Sequence, residues 1–373
     1  MKNILYFVLF FSLMACKEQK QKNTEESKQI EANEIPKQWL TFEGRDENAK
    51  HIVLVSGDEE YRSEEALPQL AKILSKHHGF KCTVLFAQDP AALGIVNANN
   101  LKNIPGLNKL SSADLMVIFT RFRALPDAQM QHIDNYLSSG KPVVGIRTAT
   151  HAFNFAKDST SNYRHYGNYY DGDKMEWKDG FGRLVLGEKW VSHHGHHKHQ
   201  STRGIVAGGA EESGVANGIS DGDVWGASDV YEVRLPLPGD SKPIILGQVM
   251  NREGEYDESD IFFGMKPTDS EAARVNNAGK KVDGPLMPIA WTKTYQIPGG
   301  KKGKVFASTV GAANDMLIEG TRRLLVNGVF WALDMEVPEK ADVSLVGDYN
   351  PTKFEFRDEE YWIEKQLTVE SLE

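Results

Sequence analysis

Five of the chain's eleven histidines fall within one short stretch, at His193, His194, His196, His197 and His199. Imidazole is both a common metal ligand and a proton carrier near neutral pH, so this stretch is the first place to look for chemistry. If it is a strand, His194 and His196 share a face. If it is a helix, His193 and His197 would do so, but Gly195 argues against a helix. The strand reading makes His194 and His196 the pair to consider. They could act on substrate directly, or serve as two ligands of zinc or a similar divalent ion. The Asp that metallohydrolase motifs place after such a pair is missing, which leaves metal-free binding or proton transfer open beside the metal site. No other cofactor is implied.

Three further polar runs each follow an apolar, β-branched segment. They are Asp58-Glu59-Glu60-Tyr61-Arg62-Ser63, Arg121-Phe122-Arg123 and Arg147-Thr148-Ala149-Thr150-His151. In open α/β sheets ligands bind beyond the carboxyl ends of the strands, so these runs are expected to line one pocket. Glu59 or Glu60 would be the general base and His151 a proton carrier. Arg121, Arg123 and Arg147 would clamp an oxygen-rich ligand, with Tyr61, Arg62 and Thr148 beside them. The competing reading of Arg147 is an ion pair with Glu59 or Glu60 that ties two loops together.

The elements that must position these residues are legible from their periodicity. His51–Ser56, Lys81–Ala87, Leu115–Thr120, Pro142–Ile146 and Lys304–Ser308 are continuous apolar runs of strand length. Helical spacing follows the first at Leu67, Leu70, Leu74 and His77, with Pro68 tolerable only near the first turn. It follows the third across Pro126–Ser139, and the last across Thr321–Leu333. Alternating strands and helices predict an α/β protein with a doubly wound, mostly parallel sheet. Residues 155–300 break the rhythm and read as an insertion carrying one or two more strands, such as Pro243–Val249, with a disorder-like patch at Arg252–Lys281. Residues 337–373 read as an extension wrapping the domain, which itself spans 49–336.

The amino end carries a charged start, an apolar run from Ile4 to Met14, and Leu13-Met14-Ala15-Cys16. That is the layout of a secretory signal over residues 1–15, and it is too short to span a bilayer. The last four residues resemble a bacterial lipobox, with Cys16 as the lipidated residue. Residues 16–48 read as a polar tether, and the protein is expected in the cell envelope, at the outer membrane, held by its lipid. The other cysteine, Cys82, lies in an apolar run and reads as an inert buried thiol. A net charge of −9 disfavours nucleic acid as a partner. There is no Gly-x-Ser-x-Gly elbow, P-loop, Gly-x-Gly-x-x-Gly or His-Glu-x-x-His, which removes serine hydrolases, P-loop NTPases and classical dehydrogenases from consideration.

Several pieces resemble one family. Gly140-Lys-Pro-Val-Val-Gly-Ile-Arg-Thr-Ala-Thr-His151 is similar to the strand and turn of the trehalose-utilisation (ThuA-like) family. Met287-Pro-Ile-Ala-Trp-Thr-Lys-Thr-Tyr295 with Gly303-Lys-Val-Phe306 resembles its "P-V-A-W-T-R…GKGRVF". Arg322-Arg-Leu-Leu-Val-Asn-Gly-Val-Phe-Trp-Ala-Leu333 resembles its closing helix, and Ser228-Asp229-Val-Tyr231 its "D-E-x-Y" step. The resemblance spans about residues 50–335. It implies a flavodoxin-like, class I glutamine-amidotransferase-like fold, without glutamine hydrolysis because the elbow holds Thr148 and its neighbours and no cysteine. It also adds Asp229 to the site and implies a sugar or keto-sugar ligand. The chain departs from the family at Arg147, where His is frequent, at His151, where an acid is frequent, and at Ala312 after Gly311. The expected function is acid/base chemistry on a sugar or keto-sugar by hydrolysis, elimination or isomerisation. The alternatives are a lipid-anchored sugar-binding protein without catalysis and a metal-dependent hydrolase using the histidine run.

Overall fold

The computed structural model describes residues 36–373. The expected signal segment, the lipidation at Cys16 and the first part of the tether lie outside the described residues. The rest is a mixed α/β fold on one sheet of ten strands in the order β1-β3-β2-β4-β5-β10-β9-β8-β6-β7. The strands are β1 (Trp39–Phe42), β2 (His51–Gly57), β3 (Lys81–Phe86), β4 (Leu115–Thr120), β5 (Val143–Ile146), β6 (Gln200–Val206), β7 (Trp225–Gly226), β8 (Lys242–Asn251), β9 (Met287–Tyr295) and β10 (Gly303–Ser308).

The five strands expected from apolar runs form a parallel block, β3-β2-β4-β5-β10. Both faces of this block are covered. Ile52 and Leu54 of β2, Leu115 and Val117 of β4 and Phe306 of β10 join one core with helices α1 (Ser63–His78) and α3 (Glu319–Ala332). Val53, Val55, Met116, Ile118 and Val305 alternate to the other core, under α2 (Asp127–Ser138). Burial on both faces is why these strands read as unbroken apolar runs. Pro68 falls in the second turn of α1 rather than the first, so the helix does without one backbone bond there. Gly79, at φ 76°, closes α1 with its N–H on the Ser75 carbonyl.

Half of the expected architecture is corrected. The sheet is not mostly parallel: β10-β9-β8-β6-β7 run antiparallel to one another, and β1 runs antiparallel to β3. The insertion supplies four strands, not one or two. Trp39–Phe42, placed in the tether by the sequence, is the edge strand β1, because Leu40 is fully buried against the core. The polar stretch 252–281 is ordered around buried Phe263, Met265 and Ala273. Residues 337–373 wrap the sheet's helical face and end in α4 (Glu359–Lys365), with Val343, Phe354 and Trp362 buried.

Candidate active site

The carboxyl ends of β2, β4 and β5 meet where the sequence placed them, and the histidine run lies against them. After β2 the chain turns sharply. The Asp58 carboxylate accepts the backbone N–H groups of Glu60 and Tyr61, and its other oxygen accepts the Thr148 hydroxyl at 2.6 Å. The β2 and β5 loops are therefore tied by Asp58 and Thr148, and not by an Arg147 pair with Glu59 or Glu60. Thr148 is fully buried, and its hydroxyl braces the turn.

Glu59, Arg123 and Arg62 are held by their neighbours to different extents. The Glu59 carboxylate accepts from Arg121 on one oxygen and from Arg123 on the other. Arg123 is fully buried and spends its remaining donors on the carbonyls of Arg121, Ala98 and Asn100. Arg62, at φ 57°, is buried and reaches the Glu59 and Glu355 carbonyls. Both oxygens of the Glu59 carboxylate and the donors of Arg123 are thus occupied, whereas Arg62 bonds through one Nη and leaves Nε and the other Nη without a hydrogen bond. Glu59 and Arg123 thereby brace the loops after β2 and β4. Arg121 remains partly accessible, its guanidinium packed between Phe122 and Phe356 at 4.8 Å from each ring.

Glu60 is the acid left free. Its carboxylate lies 3.6 Å from His197 Nε2 and 3.7 Å from Arg121 Nε, both beyond hydrogen-bond reach. Burial, helped by the neighbouring Asp58, pushes its pKa above the usual carboxylate value; His197 and Arg121 only partly oppose this.

The histidine run is turned differently from the strand reading. An isolated bridge pairs His193 with Tyr231, and the chain bends at His194 and Gly195 before a turn through His197. His193 and His197 thereby reach the same carboxylate. His193 Nδ1 lies 2.6 Å from Asp229 Oδ2, and His197 Nδ1 lies 2.6 Å from Asp229 Oδ1. Asp229 is fully buried. Burial alone would raise its pKa, but the two imidazole bonds win and hold it far below the ordinary value. His193 answers in kind: burial opposes its charge, yet the Asp229 bond raises its pKa. His193, His197 and Asp229 each offer one ligand atom within 4.8 Å of the others, a group that could hold a metal ion.

The pair chosen from sequence, His194 and His196, is not brought together here. His194 is buried with neither ring nitrogen hydrogen-bonded, and His196 stacks on His199 at 4.2 Å. Neither belongs to the group around Asp229, which His193 and His197 form instead.

The floor of the site is Arg147. It sits at φ 52° on the turn after β5, fully buried, with its guanidinium 4.1 Å from the Tyr61 ring and 4.6 Å from the Tyr231 ring. One Nη donates to the Thr309 carbonyl, and against burial Tyr231 and Tyr61, then Asp229 and Asp315, raise its pKa. His151 is buried beside Phe122, Trp190 and Tyr231, with Nδ1 3.1 Å from the Thr150 hydroxyl. Burial, with Arg121 and Arg147 adding to it, drives its pKa well below the ordinary value. Its ring lies in the aromatic wall of the site.

Tyr231, Trp190, Asp315 and Phe354 were not anticipated. Tyr231 had a signal, two residues from Asp229 and so on the same side of an extended segment. Phe354, 5.3 Å from the Tyr61 ring and 5.1 Å from the His197 ring, comes from the wrapping tail and had none.

No family model and no curated protein matches the chain. Among solved structures it is similar to a protein from Parabacteroides merdae, provisionally described as ThuA-like. The two share 16% identity over 83% of this chain and 98% of the other, with a TM-score of 0.43. At that level the likeness says nothing about activity.

Proposed function

We propose that the chain is a ThuA-like protein of flavodoxin-like, class I glutamine-amidotransferase-like ancestry that performs acid/base chemistry on a sugar or keto-sugar. Glu60 is the base and His197, backed by Asp229, the acid. The observation that carries this reading is the pairing of an acid without a hydrogen bond with an imidazole 3.6 Å away whose far nitrogen is fixed by a buried carboxylate. In an elimination, Glu60 takes the proton from the carbon beside the keto group, the bond to the leaving oxygen breaks, and His197 protonates that oxygen. Isomerisation needs the same two groups, with the proton returned elsewhere on the sugar. Glutamine hydrolysis finds no support: Cys82, the sole cysteine of the described residues, is buried in β3 with its thiol pushed far up by burial. The lipid anchor at Cys16 and an outer-membrane location belong to the same proposal.

A second reading, a metal-dependent hydrolase, is favoured by the His193, His197 and Asp229 group. In that reading His193, His197 and Asp229 would each give zinc or a similar ion one ligand atom. Metal analysis of the purified protein separates the two, because activity with less than a tenth of an equivalent of metal excludes the hydrolase. The first reading is tested with methyl 3-keto-glucoside and its unoxidised parent. The keto-sugar is expected to raise the melting temperature and to be consumed. A shift without consumption identifies a binding protein, and indifference to both sugars overturns the reading.

A further inference from the structure

A cavity of about 550 Å³ opens beside the site, lined by Phe155, Lys157, Arg164, Tyr169, Tyr170 and Asp171 among others. It falls in the size range of small-molecule sites. Tyr169 links it to the chemistry. Its ring stacks on Phe122 at 5.9 Å, and Phe122 lies 4.8 Å from the ring of His151. These two ring contacts join the wall of the site at His151 to the rim of the cavity at Tyr169. The path is also open. Tyr169 is 53% exposed and Phe356, on the far side of Arg121, is 55% exposed, in a chain that buries most of its large aromatics. Exposed rings of this kind offer flat apolar faces to the C–H side of a sugar.

The charges in the cavity narrow the class of ligand. Among the described residues most of the site's cations have carboxylate partners, as Arg121 has Glu59 and Lys189 has Asp179. Arg164 and Lys157 make no ion pair. Arg164 donates only to the Lys157 carbonyl at 3.1 Å and lies 5.9 Å from the Tyr170 ring, which leaves most of its fork unspent. A planar fork with free donors beside an ammonium matches a carboxylate or a sulfate ester. Asp171, on the same wall, disfavours a second anion and suits the hydroxyls of one ring.

We propose that this cavity is a second sugar subsite that receives an anionic unit, a uronate or a sulfated sugar, attached to the unit held at Glu60 and His197. The proposal rests on the sugar reading above. It makes the ligand a glycoside of at least two units with its negative charge on the unit that does not react.

The test is calorimetric titration of the mature protein with glucose, cellobiose, glucuronosyl-β-1,4-glucose and cellobiose 6′-sulfate, at one ionic strength. The acidic disaccharides are expected to bind at least tenfold more tightly than cellobiose, with the uronate and sulfate arms telling which anion is preferred. Arg164→Gln should erase that tenfold and leave glucose binding as it was. Lys157→Gln, on an exposed side chain that cannot unfold the protein, should reduce it by about threefold. Equal binding of charged and neutral disaccharides, or an Arg164→Gln variant that keeps the preference, overturns the subsite and leaves the sugar reading standing. Failure of all four to bind overturns the subsite, while the sugar reading itself stands or falls with methyl 3-keto-glucoside.

Discussion

Asp229 decides which histidines matter. One buried carboxylate holds two imidazoles by their Nδ1 atoms, so removing its charge should release both. Asp229→Asn is expected to lower kcat/KM by about 10²–10⁴-fold, the usual worth of a positioned acid or base, with a few degrees lost in melting temperature. His194→Leu should do the opposite. It removes a buried ring whose nitrogens make no hydrogen bond, a group that costs about 1–3 kcal/mol to bury unpaired. Activity should be unchanged and stability equal or higher, measured by turnover and thermal melting on the same preparation. Glu60→Gln should abolish activity while raising the melting temperature, because the carboxylate is held in a place that penalises its charge. The density of the histidine run was legible in the sequence, but not how the run is turned. That orientation comes from a bridge to Tyr231, almost forty residues away, and from a bend at His194 and Gly195 that no local period announces.

Elements set these distances, and two of them offer tests. Gly182 lies in a short π-helical turn beneath Arg147–His151, where an added Cβ would overlap the Thr150 carbonyl oxygen and sit 2.9 Å from Lys189 Cα. Gly182→Ala should therefore displace the turn after β5 and cost both activity and stability, read by kinetics and denaturant melts. In the first turn of α1, burial raises the Glu64 carboxyl from 4.5 to about 7, although Arg62 Nε lies 3.6 Å away. Its folded pKa lies above its unfolded one, so its contribution to stability is full below about pH 4.5 and is lost as pH rises through about 7. Glu64→Gln should gain stability over the native protein at pH 8, by at most about 3 kcal/mol, and gain almost nothing at pH 4. The parallel strands were readable because both their faces are buried. By contrast β6, Gln200–Val206, buries Gln200, Ser201 and Thr202, and its polar letters hid a core strand.

At the scale of the whole molecule, the parallel block supplies the loops, the antiparallel extension carries the histidine run, and the tail closes the site. Phe354 packs on Tyr61, His197 and Phe263, while Thr352 donates to Glu65 and the Glu355 carbonyl accepts from Arg62. Removing residues 351–373 should expose Tyr61, loosen His197 and abolish turnover, with a melting temperature lower by several degrees. The tail's place could not be read from sequence, since a segment without periodicity does not announce what it covers.

The central claim is that Glu60 takes a proton beside a keto group. Solvent exchange reads that step without knowledge of the product. The protein is incubated with methyl 3-keto-glucoside in D2O, and deuterium at the carbons flanking the carbonyl is followed by NMR. Exchange or elimination well above the enzyme-free rate is expected with the native protein and with His194→Leu, and the enzyme-free rate with Glu60→Gln. Exchange that survives Glu60→Gln, or that disappears with His194→Leu in a folded protein, would contradict it.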